Sequence, residues 1–182
     1  MFYRPIKLII FSVILISFAA TIIISQVGIF GCSPKLSTAP TALLAGHSSR
    51  QKIEDIRANF EALHVAYIYK QENNIAATEM RPQFYMATVI IPDFFLEETR
   101  GSLKLIFFND FLYSTTFTPS NSERLNKTFQ KVTGQSATAD KCIHIEVSTK
   151  VCVHTSGVLR GFITADDECL EREINNWIAK WS

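Results

Sequence analysis

The sequence predicts an α+β domain with a largely antiparallel sheet, set behind an N-terminal segment destined for a membrane. Three observations predict it. Residues 6–30 form one apolar run whose only charge is Lys7, at its start. Beyond residue 47, segments with apolar residues at helical spacing bracket short runs rich in β-branched and aromatic residues. Turn-forming residues join those runs, which favours hairpins with helices grouped against them over crossover connections.

The apolar run comes first. Leu8 to Ile24 carries no charge and approaches the ~20 residues of a membrane-spanning helix. Arg4 and Lys7 precede it without an acidic neighbour, which holds that end in the cytoplasm and sends the remaining chain to the extracytoplasmic side. Three fates are open. The run stays as a transmembrane signal-anchor, or it is cut as a secretory signal with an unusually long core, or it serves a lipoprotein. Ile29-Phe30-Gly31-Cys32 resembles a bacterial lipobox, with small Gly31 before the cysteine and aliphatic Ile29 three places before it. Phe30 departs from the small residue usual there. The resemblance implies a lipid on Cys32 and removal of residues 1–31.

Residues 32–47 are rich in Ser, Thr, Ala and Pro with Lys35 as the one charge, and they read as a stalk reaching roughly 20 Å. Residues 48–182 suffice for one domain with a single core. All 17 acidic residues and all but three of the 18 basic ones fall there, interspersed. Without a basic stripe, nucleic acid is excluded as a partner.

The domain's elements follow in order. Ser48 with Gln51 fits a capping box, and Ile53, Ile56, Phe60 and Leu63 form the stripe of a first helix. Residues 64–70 alternate as a strand, and residues 84–91 make a second, closed by Pro92-Asp93. Residues 103–117 read as a hairpin turning at Asn109-Asp110, both tolerant of positive φ. That register puts Phe108 opposite Phe111 and Ile106 opposite Tyr113, with both faces apolar and therefore covered. Ser120 and Glu123 open a second helix, with Leu125, Phe129 and Val132 inward and Gly134 as its stop. A hairpin over residues 142–154 and a strand over 158–163 precede a last helix from Asp166 to Trp181, its inner face Leu170, Ile174, Trp177, Ile178 and Trp181. The order is αββββα, then βββα.

Candidate chemistry concentrates in a doubled Cys-x-His, Cys142 with His144 and Cys152 with His154, since thiolate and imidazole are ligands zinc and copper favour. Pairing Val147 with Val151 puts both apolar sets on one face and makes Ser148-Thr149-Lys150 the loop. His144 then faces His154 at about 5 Å between Cβ atoms, with Glu146 a possible third metal ligand. The same register spaces Cys142 and Cys152 about 14 Å apart, too far for a shared ion or a direct disulfide. A bridge from either to Cys169 is the remaining structural option. Asp166-Asp167-Glu168 sits at a helix start, where carboxylates favour the exposed N–H groups.

Phe94, Phe95 and Leu96, beside Glu97 and Glu98, form a candidate docking loop. The sequence carries no Gly-rich phosphate loop, HExxH, GxSxG or CxxC, and so no catalytic signature and no cofactor motif. The expected function is binding, by a membrane-anchored domain with a protein partner in the envelope. The alternatives are a metal-binding domain using His144 and His154, and an envelope lipoprotein lipidated at Cys32.

Overall fold

The computed structural model describes residues 39–146, 148–155 and 161–182. Residues 1–38 lie outside these, and with them the expected transmembrane segment, the lipobox-like tetrapeptide and Cys32. Among the described residues no helix is long and apolar enough to cross a membrane.

The element order matches the expectation. Helix α1 (Ile53–Ala62) precedes strands β1 (Ile68–Ile75), β2 (Phe84–Leu96), β3 (Thr99–Phe108) and β4 (Phe111–Pro119). Helix α2 (Leu125–Thr133) leads to β5 (Lys141–His144), β6 (Thr149–His154), β7 (Phe162–Asp167) and helix α3 (Glu168–Trp181). All seven strands join one antiparallel sheet in the order β1-β2-β3-β4-β7-β6-β5. Two meanders meet where β7 pairs with β4. Strand alternation then sorts side chains between two faces. Ala87, Val89, Leu103, Leu105, Phe117, Val151 and Ile163 pack with α1 and α2 in the main core. Phe84 and Phe108, on the opposite face, pack with Ile174 and Trp177 of α3 in a smaller one.

The main departure is at the predicted stalk. Thr41, Leu43 and Leu44 are buried, and Leu44 is only 2% exposed. Its N–H donates to Thr115 Oγ1 at 3.1 Å, and Thr41 and Ser49 exchange bonds of 3.0 and 2.8 Å. The folded unit therefore takes in residues 41–44, ahead of the expected start at Ser48. Residues 39–47 are not a spacer, because two adjacent leucines reach the core.

Helix α1 also starts later than the capping box implies. The Ser48 N–H does donate to Gln51 Oε1 at 3.2 Å, but ahead of the helix, which opens at Ile53 with Glu54 and Asp55 in its first turn. Its buried stripe is Ile53, Ile56 and Phe60. Leu63 is 66% exposed, because His64 takes φ +54° and turns the chain so that Val65 packs instead. The first strand consequently begins at Ile68, four residues beyond its expected start. It is an edge strand, exposed along most of its length and bulged between Gln71 and Asn73, which blunts pairing with another sheet.

Strand β2 does not stop at Pro92. Its register passes from Ile91 opposite Leu103 to Phe94 opposite Gly101, so Pro92-Asp93 forms a bulge, a place that tolerates a missing N–H. The strand turns instead at Glu97-Glu98, both at positive φ. The next turn falls at Asn109-Asp110 as expected, with φ +46° and +70° and Phe108 opposite Phe111. Asn109 clamps it: Oδ1 accepts from the Tyr85 N–H at 2.9 Å, and Nδ2 donates to the Gln83 carbonyl at 3.2 Å. Ile106 pairs with Ser114, not Tyr113, because Tyr113 is the extra residue of a bulge.

Gly101 is fixed by packing. A Cβ there would lie 2.3 Å from the Thr118 carbonyl oxygen and 2.7 Å from the Phe117 ring. Gly101→Ala is expected to destabilise the domain by about 1–3 kcal/mol. Urea denaturation measures this, and an unchanged midpoint would refute the tight approach.

Asn121, not Ser120, starts the second helical region. Its Oδ1 accepts from the Glu123 N–H at 2.9 Å over a 3-10 turn, Ser122–Arg124, that leads into α2. Leu125 and Phe129 point inward and Gly134 ends α2 at φ +73°, as expected. The last strand runs past its expected end, because β7 reaches Asp167, whose carboxylate caps α3 by accepting from the N–H groups of Cys169 and Leu170, while residues 158–160 of the expected strand lie outside the described residues. Leu170, Ile174 and Trp177 face inward, while Ile178 is 41% exposed.

Candidate functional site

The β5–β6 hairpin corrects the predicted register. Ile143 pairs with Val151, and His144 with Lys150. The Ile145 N–H donates to the Thr149 carbonyl at 3.1 Å, which puts Glu146 and Ser148 in the loop. This register places Cys142 directly opposite Cys152, three residues from the hydrogen-bonded Ile145–Thr149 pair and hence at a non-hydrogen-bonded position, where antiparallel strands approach most closely. Their Cα atoms are 4.0 Å apart and the sulfurs are joined. The expectation that these cysteines cannot pair is overturned. The loop falls two residues earlier than the alternation predicts, a shift that leaves every side chain on the same face. Cys169, 4% exposed on α3, is itself disulfide-bonded, and neither Cys142 nor Cys152 is its partner.

The three expected metal ligands do not converge. His144 Nε2 lies 3.0 Å from Glu168 Oε2. His154 stacks on Phe162 at the other end of β6, about 14 Å away along the ladder from the position opposite His144. Glu146 instead secures the incoming chain: its Oε2 accepts from Thr41 Oγ1 at 2.7 Å and from the Ala42 N–H at 3.1 Å. Thr41 also contacts the Thr149 hydroxyl, which donates to the Ala42 carbonyl at 2.9 Å. Among the described residues no group of three or more His, Cys, Asp or Glu side chains is placed to hold a metal ion.

Those two hydrogen bonds, Thr41 first and then Ala42, hold the Glu146 carboxyl below its ordinary 4.5. The stabilising contribution of a depressed carboxyl is present above 4.5 and lost as pH falls through the folded value. Glu146→Ala is therefore expected to speed amide exchange over residues 41–44 at neutral pH. The parent should approach the variant's rates on acidification. Equal neutral-pH rates in the two would refute this clasp.

A second cluster lies where α3 meets the sheet. Register aligns Ser114, Asp166 and Lys150 on β4, β7 and β6, with His144 next on β5. Ser114 Oγ donates to Asp166 Oδ1 at 2.5 Å. Lys150 Nζ turns to the helix, 3.6 Å from both Glu168 Oε1 and Glu171 Oε2. Burial pushes the Asp166 carboxyl up from 3.8, and nearby Glu171 adds to this, while Ser114, Lys150 and Thr164 oppose it. Burial likewise pushes the neighbouring Tyr113 hydroxyl up to about 12, reinforced by Asp166, Glu171 and Glu72.

Of the expected helix-start group Asp166-Asp167-Glu168, Asp167 and Glu168 fit that role. Asp166 belongs to the strand, between buried Ala165 and Asp167.

The expected docking loop is a strand. Phe94 packs against the core, Leu96 is 6% exposed, and Phe95 alone projects, at 65%. It stands opposite Arg100, whose guanidinium forks onto Asp93 at 2.7 and 2.8 Å.

The fold and these clusters define a class: an α+β domain with one seven-stranded antiparallel sheet, helices on both faces and a disulfide-stapled edge hairpin. Comparison with protein-family models and with curated protein sequences finds no match.

Proposed function

We propose that this chain is a membrane-anchored protein whose domain faces the extracytoplasmic side and works by binding a protein partner of the envelope. The observation that carries the location is the Cys142–Cys152 disulfide, because such bonds persist in oxidising compartments and are rare in the cytosol. The apolar run at residues 8–24 behind Arg4 and Lys7 supplies the anchor. Phe95 is the candidate contact. Its neighbours Phe94 and Leu96 fix the backbone from which it projects, so its side chain is offered at low entropic cost.

Two measurements test the reading. A photoreactive residue in place of Phe95, activated in intact cells, is expected to trap a specific neighbour, and no adduct at that position would count against the site. Intact mass of protein extracted from membranes without reductant separates the anchor's fates. Full length means a retained helix. Loss of residues 1–31 with added lipid means lipidation at Cys32, and loss without lipid means a cut signal. Recovery from the soluble cytosol with free thiols would end the proposal.

A further inference from the structure

We propose that docking of α3 onto the sheet is proton-linked through Asp166, in the row Ser114–Asp166–Lys150, tightening as the medium is acidified. Four features of the geometry carry this. Asp166 is half-buried beneath the first turn of α3. Among the described residues no cation lies within ion-pair distance of it, and its close partner is the Ser114 hydroxyl. Lys150, its cross-strand neighbour, is committed to Glu168 and Glu171 on the helix. Three carboxylates thus lie around one ammonium, with His144 on Glu168 and Arg172 beside Glu168 and Glu171 as the further basic groups.

The facing groups can be taken element by element. From β4 come Ser114 and Tyr113, and Tyr113 stays neutral below about 12. From β6 comes Lys150, from β5 His144, and from α3 Glu168 and Glu171. From β1, Glu72 acts on Tyr113 and is itself 3.8 Å from Lys104 of β3. Ionised Asp166 therefore faces the negative first turn of α3 without a cation of its own. Its carboxyl titrates above the ordinary 3.8 in the folded protein, so the folded state takes up a proton that the open state releases. Stability from this group grows as pH falls through the raised value and levels off below 3.8. The same linkage governs local opening of α3, which covers Phe84 and Phe108.

The test is hydrogen exchange over residues 168–182 of the full-length chain in mild detergent, corrected for intrinsic rates. It is run in a His144→Gln background, which removes the ring that contacts Glu168 of the same helix turn. The opening constant is expected to be at least twofold smaller at pH 4 than at pH 8. Asp166→Asn should remove this difference and show acid-like protection at both pH values. Glu171→Gln, at a partly exposed position, should shrink the difference and serves as the deciding variant if Asp166→Asn does not fold. A pH-independent opening constant in the parent background would overturn the proposal. So would a full-sized pH difference in Asp166→Asn or, failing that variant, in Glu171→Gln.

Discussion

A chain beginning at Ser48 is expected to lose cooperative folding, whereas one beginning at Ala39 should keep it. The missing segment would take Leu43 and Leu44 out of the main core, where they are 9% and 2% exposed. Truncating one buried leucine to alanine costs about 2–5 kcal/mol, and removing both side chains with their backbone costs more than either. The loss strands polar groups as well. Thr115 Oγ1 loses the Leu44 N–H, and Glu146 loses both of its donors. Against a typical total stability of about 5–15 kcal/mol, such a deletion is comparable to the whole. Far-UV circular dichroism during urea unfolding of residues 39–182 and 48–182 makes the comparison, and Leu44→Ala in the longer chain isolates one side chain. Matching transitions for the two lengths would show that the segment is a spacer after all.

The sequence made some features legible because their local chemistry leaves few options. Asn109-Asp110 names a two-residue turn, since both residues accept positive φ, and the flanking strands follow. Gly134 stops α2 for a similar reason. What escaped was set by tertiary context. Pro92 looks like a strand end, yet a bulge absorbs it and the strand continues. Leu43 and Leu44 are too few to show periodicity, and small polar neighbours hide them. The β5–β6 register escaped for a sharper reason. Sliding one strand end by two residues preserves the side-chain period, so alternation is blind to it. The choice is made by contacts from outside the hairpin, where Glu146 must sit in the loop to receive Thr41 and Ala42. The candidate site depends on that register more than on any residue type, and a pattern of cysteines and histidines read without it pointed to metal.

Breaking the Cys142–Cys152 bridge is expected to lower stability by about 2–3 kcal/mol, the chain-entropy cost released by a closed loop of this size. For a domain of this length that corresponds to a fall of roughly 5–10 °C in melting temperature. The effect should start locally. β5 is a four-residue edge strand paired to β6 alone, so the covalent bond and the Glu146 clasp reinforce a short ladder. Cys152 is 3% exposed, so alanine at both positions avoids burying a new hydroxyl. Cys142→Ala with Cys152→Ala is therefore expected to melt earlier and to exchange amides fastest over residues 141–144. Reductant should also destabilise the parent and leave the variant's hairpin unchanged. A parent whose melt and hairpin exchange ignore reductant would carry these cysteines unpaired. The proposal of an oxidising, extracytoplasmic home would then lose its main support, while the fold, held by the two cores, would stand.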